Sequence, residues 1–123
     1  MNRTFWILTM AALIGTNAQA FDLTGDWDSD GAGFYLRQVD DTLWWYAENS
    51  AENPAWTSVA HGTIEGDTVS VTWVDVPKGN ATIMGTAVFN VVSEEELRLV
   101  DQTGGFGGED WEDLVLLRIS SGF

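Results

Sequence analysis

From residue 21 onward the chain is a series of short runs in which apolar and polar residues alternate. No long stretch has apolar residues at helical spacing. Because side chains of a β-strand point alternately to its two faces, this period of two is typical of half-buried strands. Gly, Asp and Asn separate the runs, as expected of short turns. Eight runs can be recognised: LTGDWD, GFYLRQV, TLWWYAE, WTSVAHGTI, TVSVTWVDV, TIMGTAVFNVV, ELRLVD and LVLLRIS.

The order of these runs favours an antiparallel up-and-down meander, since short turns join consecutive strands. Closing the meander removes exposed strand edges, which is important in a chain without cysteines and hence without disulfides. We therefore predict an all-β fold, an antiparallel up-and-down barrel of about eight strands. A barrel of about this size holds either a packed interior or one small ligand.

Residues 1–20 have the features of a secretory signal peptide. Arg3 precedes an apolar run that is too short to span a bilayer comfortably, and Ala-Gln-Ala follows at 18–20. We predict that 1–20 is cleaved and that 21–123 forms a single barrel domain. The expected location is the periplasm or the medium of a bacterium, after Sec-type export and without a membrane anchor.

The charge balance is strongly acidic, with 19 acidic and 5 basic residues and a net charge of −14. Nucleic acids and anionic membrane surfaces are bound by clusters of Lys and Arg. The composition therefore argues against both as partners, and an acidic surface favours solubility.

The segment GFYLRQVDDTLWWYAE predicts a hairpin with Asp40 and Asp41 at its turn, so that Val39 opposes Thr42. One face of this hairpin is nearly apolar: Phe34, Leu36, Gln38, Leu43, Trp45 and Ala47. The other mixes aromatic and charged residues: Tyr35, Arg37, Val39, Thr42, Trp44, Tyr46 and Glu48. We expect the apolar face to fill the barrel, because burying it stabilises the fold more than burying the mixed face would. The alternative is that the mixed face lines a binding cavity.

Two further segments could contribute to a site. On TVSVTWVDV, Trp73 is expected to point inward with Asp75 at the barrel rim. Asp75 is then either a turn cap for the VPKG corner, which we favour, or a hydrogen-bond acceptor at a cavity mouth. In the loop TGGFGGEDW, Phe106 either plugs the barrel end or acts with Trp111 as a lid over a ligand.

The motifs for metal binding and catalysis are incomplete. Asp26, Asp28 and Asp30 match the start of a calcium loop, but Arg37 occupies the twelfth position, where Glu is required. A strand end running into an Asp-Gly turn is the favoured interpretation. His61 is the only histidine, and no nucleophile elbow is present. We therefore predict no enzyme activity, no cofactor and no metal.

Two resemblances add to this interpretation. GDW at 25–27 and Arg118 on the last strand resemble the calycin superfamily of lipocalins, fatty-acid-binding proteins and avidins, in which an Arg often packs across the tryptophan. The Gly-x-Trp start, LRQ, the paired tryptophan, WVDVPKG and TGGFGG together resemble a group of small secreted bacterial domains of unassigned function. The second resemblance spans nearly all of 21–123 and implies no activity.

The predicted function is non-covalent binding of a small or sugar-like ligand through an aromatic-lined site. The alternative is a protein–protein interaction or self-association module that uses an exposed aromatic face, without catalysis. Under either function the protein is expected to be a monomer or a small homo-oligomer. The candidate ligand-binding residues are Arg37, Trp44, Trp45, Tyr46, Trp73, Asp75, Phe106 and Trp111.

Overall fold

The computed structural model describes residues 21–79 and 83–121; the predicted signal peptide at 1–20 lies outside the described residues. The strands are β1 (Gly25–Ser29), β2 (Ala32–Val39), β3 (Thr42–Asn49), β4 (Thr57–Glu65), β5 (Thr68–Asp75), β6 (Met84–Ser93), β7 (Glu96–Gln102) and β8 (Val115–Ser120), and a short 3-10 helix (Trp111–Asp113) precedes β8. Within the described part of the chain, no helix has the length and apolar character needed to cross a membrane.

The eight strands form one closed antiparallel barrel in the order β1 to β8. The last strand returns to the first, where Asp28 pairs with Leu117 and Trp27 pairs with Arg118. Each described strand therefore has a hydrogen-bonded neighbour on both sides, which is the arrangement expected for a chain that no disulfide stabilises. The predicted all-β up-and-down barrel is confirmed.

The β2–β3 hairpin has the register that its Asp40–Asp41 turn predicts. Val39 pairs with Thr42 and Leu36 pairs with Trp45. Asp40 adopts a positive φ of 55°, which Asp tolerates better than most residues. The apolar face is buried inside the barrel and the mixed face lies outside. The alternative, in which the mixed face lines the interior, is therefore wrong.

The two ends of the barrel differ in their connections. The β2–β3, β4–β5 and β6–β7 turns lie at one end, which we call the turn end. The longer β3–β4, β5–β6 and β7–β8 connections lie at the other end together with the β1–β2 turn, and we call it the loop end. In an up-and-down barrel this segregation follows from strand order alone, so each end has its own chemistry.

The turn end is closed by the segment that leads into β1. Leu23 is fully buried there, and its carbonyl oxygen accepts a 2.9 Å hydrogen bond from the indole nitrogen of Trp27. The Arg118 guanidinium carbon lies 4.8 Å from the centre of the Trp27 ring, a cation–π contact. The same guanidinium donates to the carbonyl oxygens of Asp22, Thr24 and Glu94. Access to the interior from this end is therefore blocked.

The barrel interior is packed around an aromatic cluster at mid-height. Trp45 meets the edge of Phe34 at 5.2 Å and of Phe89 at 5.9 Å between ring centres. Such edge-to-face pairs are a favoured aromatic geometry. The ring of Phe106, from the β7–β8 connection, enters this cluster from the loop end and lies 5.7 Å from Trp45 and 6.0 Å from Phe89.

Candidate functional site: a half-open cavity at the loop end

A cavity of about 460 Å³ opens at the loop end, above Phe106. This volume is in the range of small-molecule sites. Four of its lining side chains are large aromatics: Phe34, Trp56, Trp73 and Phe106. Five are polar or charged: Ser29, Asp30, Asn49, Ser58 and Asp75. The remaining lining is small or aliphatic, including Gly31, Ala32, Ile83, Leu114 and the glycines on either side of Phe106.

Phe106 forms the floor of the cavity, because it both lines the cavity and contacts the cluster beneath it. Its ring centre is 5.5 Å from that of Trp73 and 6.4 Å from that of Phe34, two residues that also line the cavity. Only 9 % of Phe106 is exposed. The barrel is thus filled from the turn end to Phe106, and the cavity lies between Phe106 and the loop end.

The loop that carries Phe106 is tied down by specific hydrogen bonds. The side-chain oxygen of Gln102 accepts from the backbone N–H groups of Gly105, at 3.0 Å, and Phe106, at 2.9 Å. The Thr103 hydroxyl accepts from the backbone N–H of Thr86 at 2.8 Å. Gly104 has a φ of 83°, and an added Cβ would overlap the Met84 carbonyl oxygen. In this conformation Phe106 is therefore a fixed plug.

Ser58 is the most deeply buried polar group of the cavity. It is 3 % exposed, and within the described part of the chain its hydroxyl has no hydrogen-bond partner. A buried hydroxyl without a partner destabilises a fold by about 1–3 kcal/mol relative to a satisfied one. Its presence in a cavity wall indicates a position that a bound molecule can satisfy.

Asp75 lies directly opposite Ser58, because the two residues pair in register across β4 and β5. Side chains of such pairs share a face and have Cβ atoms about 4.5–5.5 Å apart. Burial raises the pKa of the Asp75 carboxyl above its ordinary value of 3.8. Gly79 adds to this burial, since a Cβ at Gly79 would run into the carboxylate.

The role of turn cap that we favoured for Asp75 belongs to Thr57 instead. The Thr57 hydroxyl donates to the carbonyl oxygen of Val76 at 2.6 Å and accepts from the N–H of Lys78 at 3.2 Å. Among the described residues, no side chain or backbone group forms a hydrogen bond with the Asp75 carboxylate. Asp75 lines the cavity mouth, as in the alternative interpretation.

The eight candidate binding residues fall into separate groups. Trp73, Asp75 and Phe106 line the cavity. Trp45 lies in the packed cluster below, where no described residue accepts a hydrogen bond from its indole N–H. Trp111 packs at the base of the Gly-rich loop beside Gly107, half-buried and outside the lining. Arg37, Trp44 and Tyr46 lie on the outer surface. The structure therefore does not bring all eight into one site.

The outer surface of β2–β4 has its own aromatic arrangement, which we call the outer aromatic face. Tyr35 and Tyr46 stack at 6.1 Å between ring centres, and Trp44 stacks on His61 at 5.1 Å. Trp44 remains 51 % exposed. Glu48 accepts hydrogen bonds from both tyrosine hydroxyls at 3.3 Å.

Many lining residues were not among the candidates drawn from the sequence, and those with a polar or large aromatic side chain include Asn49, Trp56 and Ser58. For Ser58 a signal existed. Placing His61 on the outer face of β4 puts Ser58, Ala60 and Ile64 on the inner face, where a hydroxyl among apolar residues is unusual. Trp56 lies in the β3–β4 connection, where no periodicity applies.

Of the three aspartates in the acidic motif, Asp30 lines the cavity, whereas Asp26, Asp28 and the histidine lie outside it. Asp26 and Asp28 belong to β1, and Asp30 begins the turn into β2, so DWDSDG is a strand end and not a calcium loop. In the described ranges, no three His, Cys, Asp or Glu residues are placed to hold a metal ion. His61 is exposed on the outer face, so its imidazole is on the opposite side of β4 from Ser58.

The chain was compared with known proteins in three ways. No protein-family model, no curated protein and no solved structure matches it.

Proposed function

We propose that this protein binds a small molecule non-covalently in the loop-end cavity and performs no chemistry on it. The observation that carries the proposal is the Ser58 hydroxyl, which is buried in the wall of an aromatic-lined cavity and has no hydrogen-bond partner among the described residues. A ligand that hydrogen-bonds this hydroxyl offsets the cost of burying it. We further propose that binding takes place outside the cytoplasm, because 1–20 resembles a secretory signal.

The cavity offers two kinds of contact. Trp56, Trp73 and Phe106 supply aromatic side chains to the cavity wall, which suits a flat or sugar-like molecule, and aromatic contacts contribute both apolar burial and orientation. Ser58 and Asp75 on the inner face of the barrel are placed to hydrogen-bond polar atoms of the same molecule. Because Phe106 forms the floor, the ligand is limited to the space between Phe106 and the loop end.

The test is a screen of soluble mono- and disaccharides, aromatic acids and aromatic amines by tryptophan fluorescence and melting temperature. At least one class is expected to change the emission and raise the melting temperature, because Trp56 and Trp73 line the cavity. If no class does either, the proposal fails.

Two serine variants locate the site. Ser58→Ala is expected to lower the affinity for the identified ligand by about 5- to 10-fold, because one hydrogen bond is lost. Ser70→Ala, on the exposed outer face of neighbouring β5, is the matched control and should bind normally. Equal affinity of wild type and Ser58→Ala would place binding elsewhere.

The second candidate is self-association through the outer aromatic face. The specific observation is Trp44, which is half exposed although it stacks on His61. Exposed apolar patches are often interaction surfaces. Sedimentation of the wild type and Trp44→Ser separates the candidates: a dimer that Trp44→Ser dissociates supports this function, and a monomeric wild type counts against it.

A further inference from the structure

The lining of the cavity is acidic. Its ionisable lining residues are Asp30 and Asp75, both acidic. The described basic residues all point elsewhere: Arg37 on the outer surface, Lys78 to the Asn53 side chain, Arg98 beside Glu96 at 3.5 Å, and Arg118 at the turn end. Within the described residues, nothing basic lines the cavity to neutralise its carboxylates.

The polar groups at its wall are suited to a hydrogen-bond donor. A carboxylate only accepts hydrogen bonds, and the Ser58 hydroxyl oxygen can accept as well. Because Ser58 and Asp75 are cross-strand partners, one donor group can reach both. A primary ammonium has three N–H donors and the charge that complements Asp75.

The aromatic walls favour the same ligand. Trp56 and Trp73 are the largest of the ring faces in the lining. Indole faces attract cations more strongly than other aromatic faces do. They also bury the hydrocarbon body of an organic amine, which a hydrated metal ion does not offer.

We infer that the cavity is selective for a primary ammonium carried on an apolar body, with Ser58 and Asp75 as acceptors and the aromatic walls around the hydrocarbon. This inference rests on the proposed function and specifies its ligand class. Anionic molecules are disfavoured by Asp30 and Asp75, and neutral sugars leave the Asp75 charge uncompensated.

The decisive comparison uses benzylamine and benzyl alcohol, which have the same ring and nearly the same size but differ in charge. Both are titrated against the whole protein at pH 7.5 and constant ionic strength, with tryptophan emission and calorimetry as readouts. Benzylamine is expected to bind at least about tenfold more tightly than benzyl alcohol, because its ammonium pairs with the Asp75 carboxylate in a partly buried site.

Asp75→Asn keeps the shape of the side chain and removes its charge. This variant is expected to lower the affinity for benzylamine by about tenfold or more and to change the affinity for benzyl alcohol by no more than about twofold. Asp67→Asn, in the β4–β5 turn at the opposite end, changes the net charge equally and is the control. It should leave both affinities unchanged, since the turn end lies beyond the reach of short-range pairing.

The outcomes separate the inference from the proposed function. Equal binding of the two probes, or equal weakening of benzylamine by Asp67→Asn and Asp75→Asn, overturns the ammonium inference and leaves cavity binding intact. If neither probe binds, the inference is overturned, and the saccharides and acids of the screen decide the proposed function. Tight benzylamine binding that Asp75→Asn and Ser58→Ala both weaken supports the two together.

Discussion

Asp75 occupies a position that stability alone would give to an apolar residue. It follows Val69, Val71 and Trp73 on the inner face of β5, all of them buried. Across from it, the Ser58 hydroxyl is buried without a partner. Binding sites often keep such unfavourable groups, because they are satisfied only when the ligand is present.

Asp75→Asn is expected to stabilise the unliganded protein at neutral pH. The pKa of Asp75 is higher in the folded protein than the ordinary 3.8, so ionised Asp75 disfavours the folded state. This cost is absent below the unfolded pKa and develops as the pH rises through the folded pKa. At pH 7 the variant should melt higher, by on the order of 2 °C, a small gain because water reaches the cavity.

Thermal unfolding between pH 3.5 and 7.5 measures this difference. The gain should shrink as the pH falls toward 3.8, the ordinary pKa of Asp, and disappear below it, where Asp75 is protonated in both states. Asp30 is the other ionisable residue of the cavity, and Asp30→Asn tests whether it contributes. A gain that is constant with pH would contradict a titrating Asp75 as its cause.

At the scale of elements, the hairpin β2–β3 was predictable pair by pair. Once Asp40 and Asp41 are at the turn, the alternation of β-strands determines which side chains share a face. The plug was not predictable in the same way. The insertion of Phe106 depends on the positive φ of Gly104 and on the hydrogen bonds of Gln102, which periodicity does not encode.

The cavity could not be predicted from the strand pattern alone. Its lining combines residues from the β1–β2, β3–β4, β5–β6 and β7–β8 connections, which only the closed barrel brings together. Trp73 and Asp75 were predictable because they continue a strand pattern. Trp56 was not, since its position depends on how a connection folds over the barrel mouth. Asn49 ends β3 on the same face as Trp45 and Ala47, so the strand pattern could have placed it too.

Gly104→Ala is expected to disturb the plug more than Gly105→Ala. Both glycines have φ near 85°, which costs Ala about 1–2 kcal/mol at either position. Only at Gly104 would the new Cβ also overlap a backbone atom, the Met84 carbonyl oxygen; at Gly105 nothing lies within 4 Å. The extra overlap should add about 1–3 kcal/mol to the loss in unfolding free energy.

Denaturant unfolding gives both values, and near-ultraviolet circular dichroism reports the aromatic cluster around Phe106. The spectrum of Gly104→Ala should lose intensity, while that of Gly105→Ala should resemble the wild type. Equal destabilisation of the two variants would show that the loop moves away from Met84 without cost.

The contact of β4 with β5 depends on Gly62. A Cβ at this position would overlap the Ser70 carbonyl oxygen and the Val71 Cα of the neighbouring strand. Gly62→Ala must therefore push the strands apart and should cost about 3 kcal/mol or more. Gly33→Ala on β2 is the matched control, because its new Cβ would meet only the Tyr35 hydroxyl at 3.7 Å. We expect the control to change the unfolding free energy by about 0.5 kcal/mol or less.

As a whole, the molecule is a barrel with one end closed and the other half open. The Trp27–Arg118 contact and the buried Leu23 seal the turn end, while the Phe106 plug divides the interior at mid-height. Small side chains at Ala32 and Ser58 leave space between the plug and the loop end. The sealed end and the proposed binding cavity thus lie at opposite ends of the same short strands.

Arg118→Ala tests this division. The variant loses the cation–π contact with Trp27 and the charge-assisted hydrogen bonds to three carbonyl oxygens, so its unfolding free energy should fall by about 3 kcal/mol. Arg98→Ala removes the same side chain from an exposed pair with Glu96 and should cost about 0.5 kcal/mol or less. Because Arg118 is at the far end of the barrel, any cavity ligand identified by the screen should bind Arg118→Ala with wild-type affinity at temperatures where the variant is folded. A large loss of affinity in Arg118→Ala would show that the two ends are coupled through the aromatic cluster.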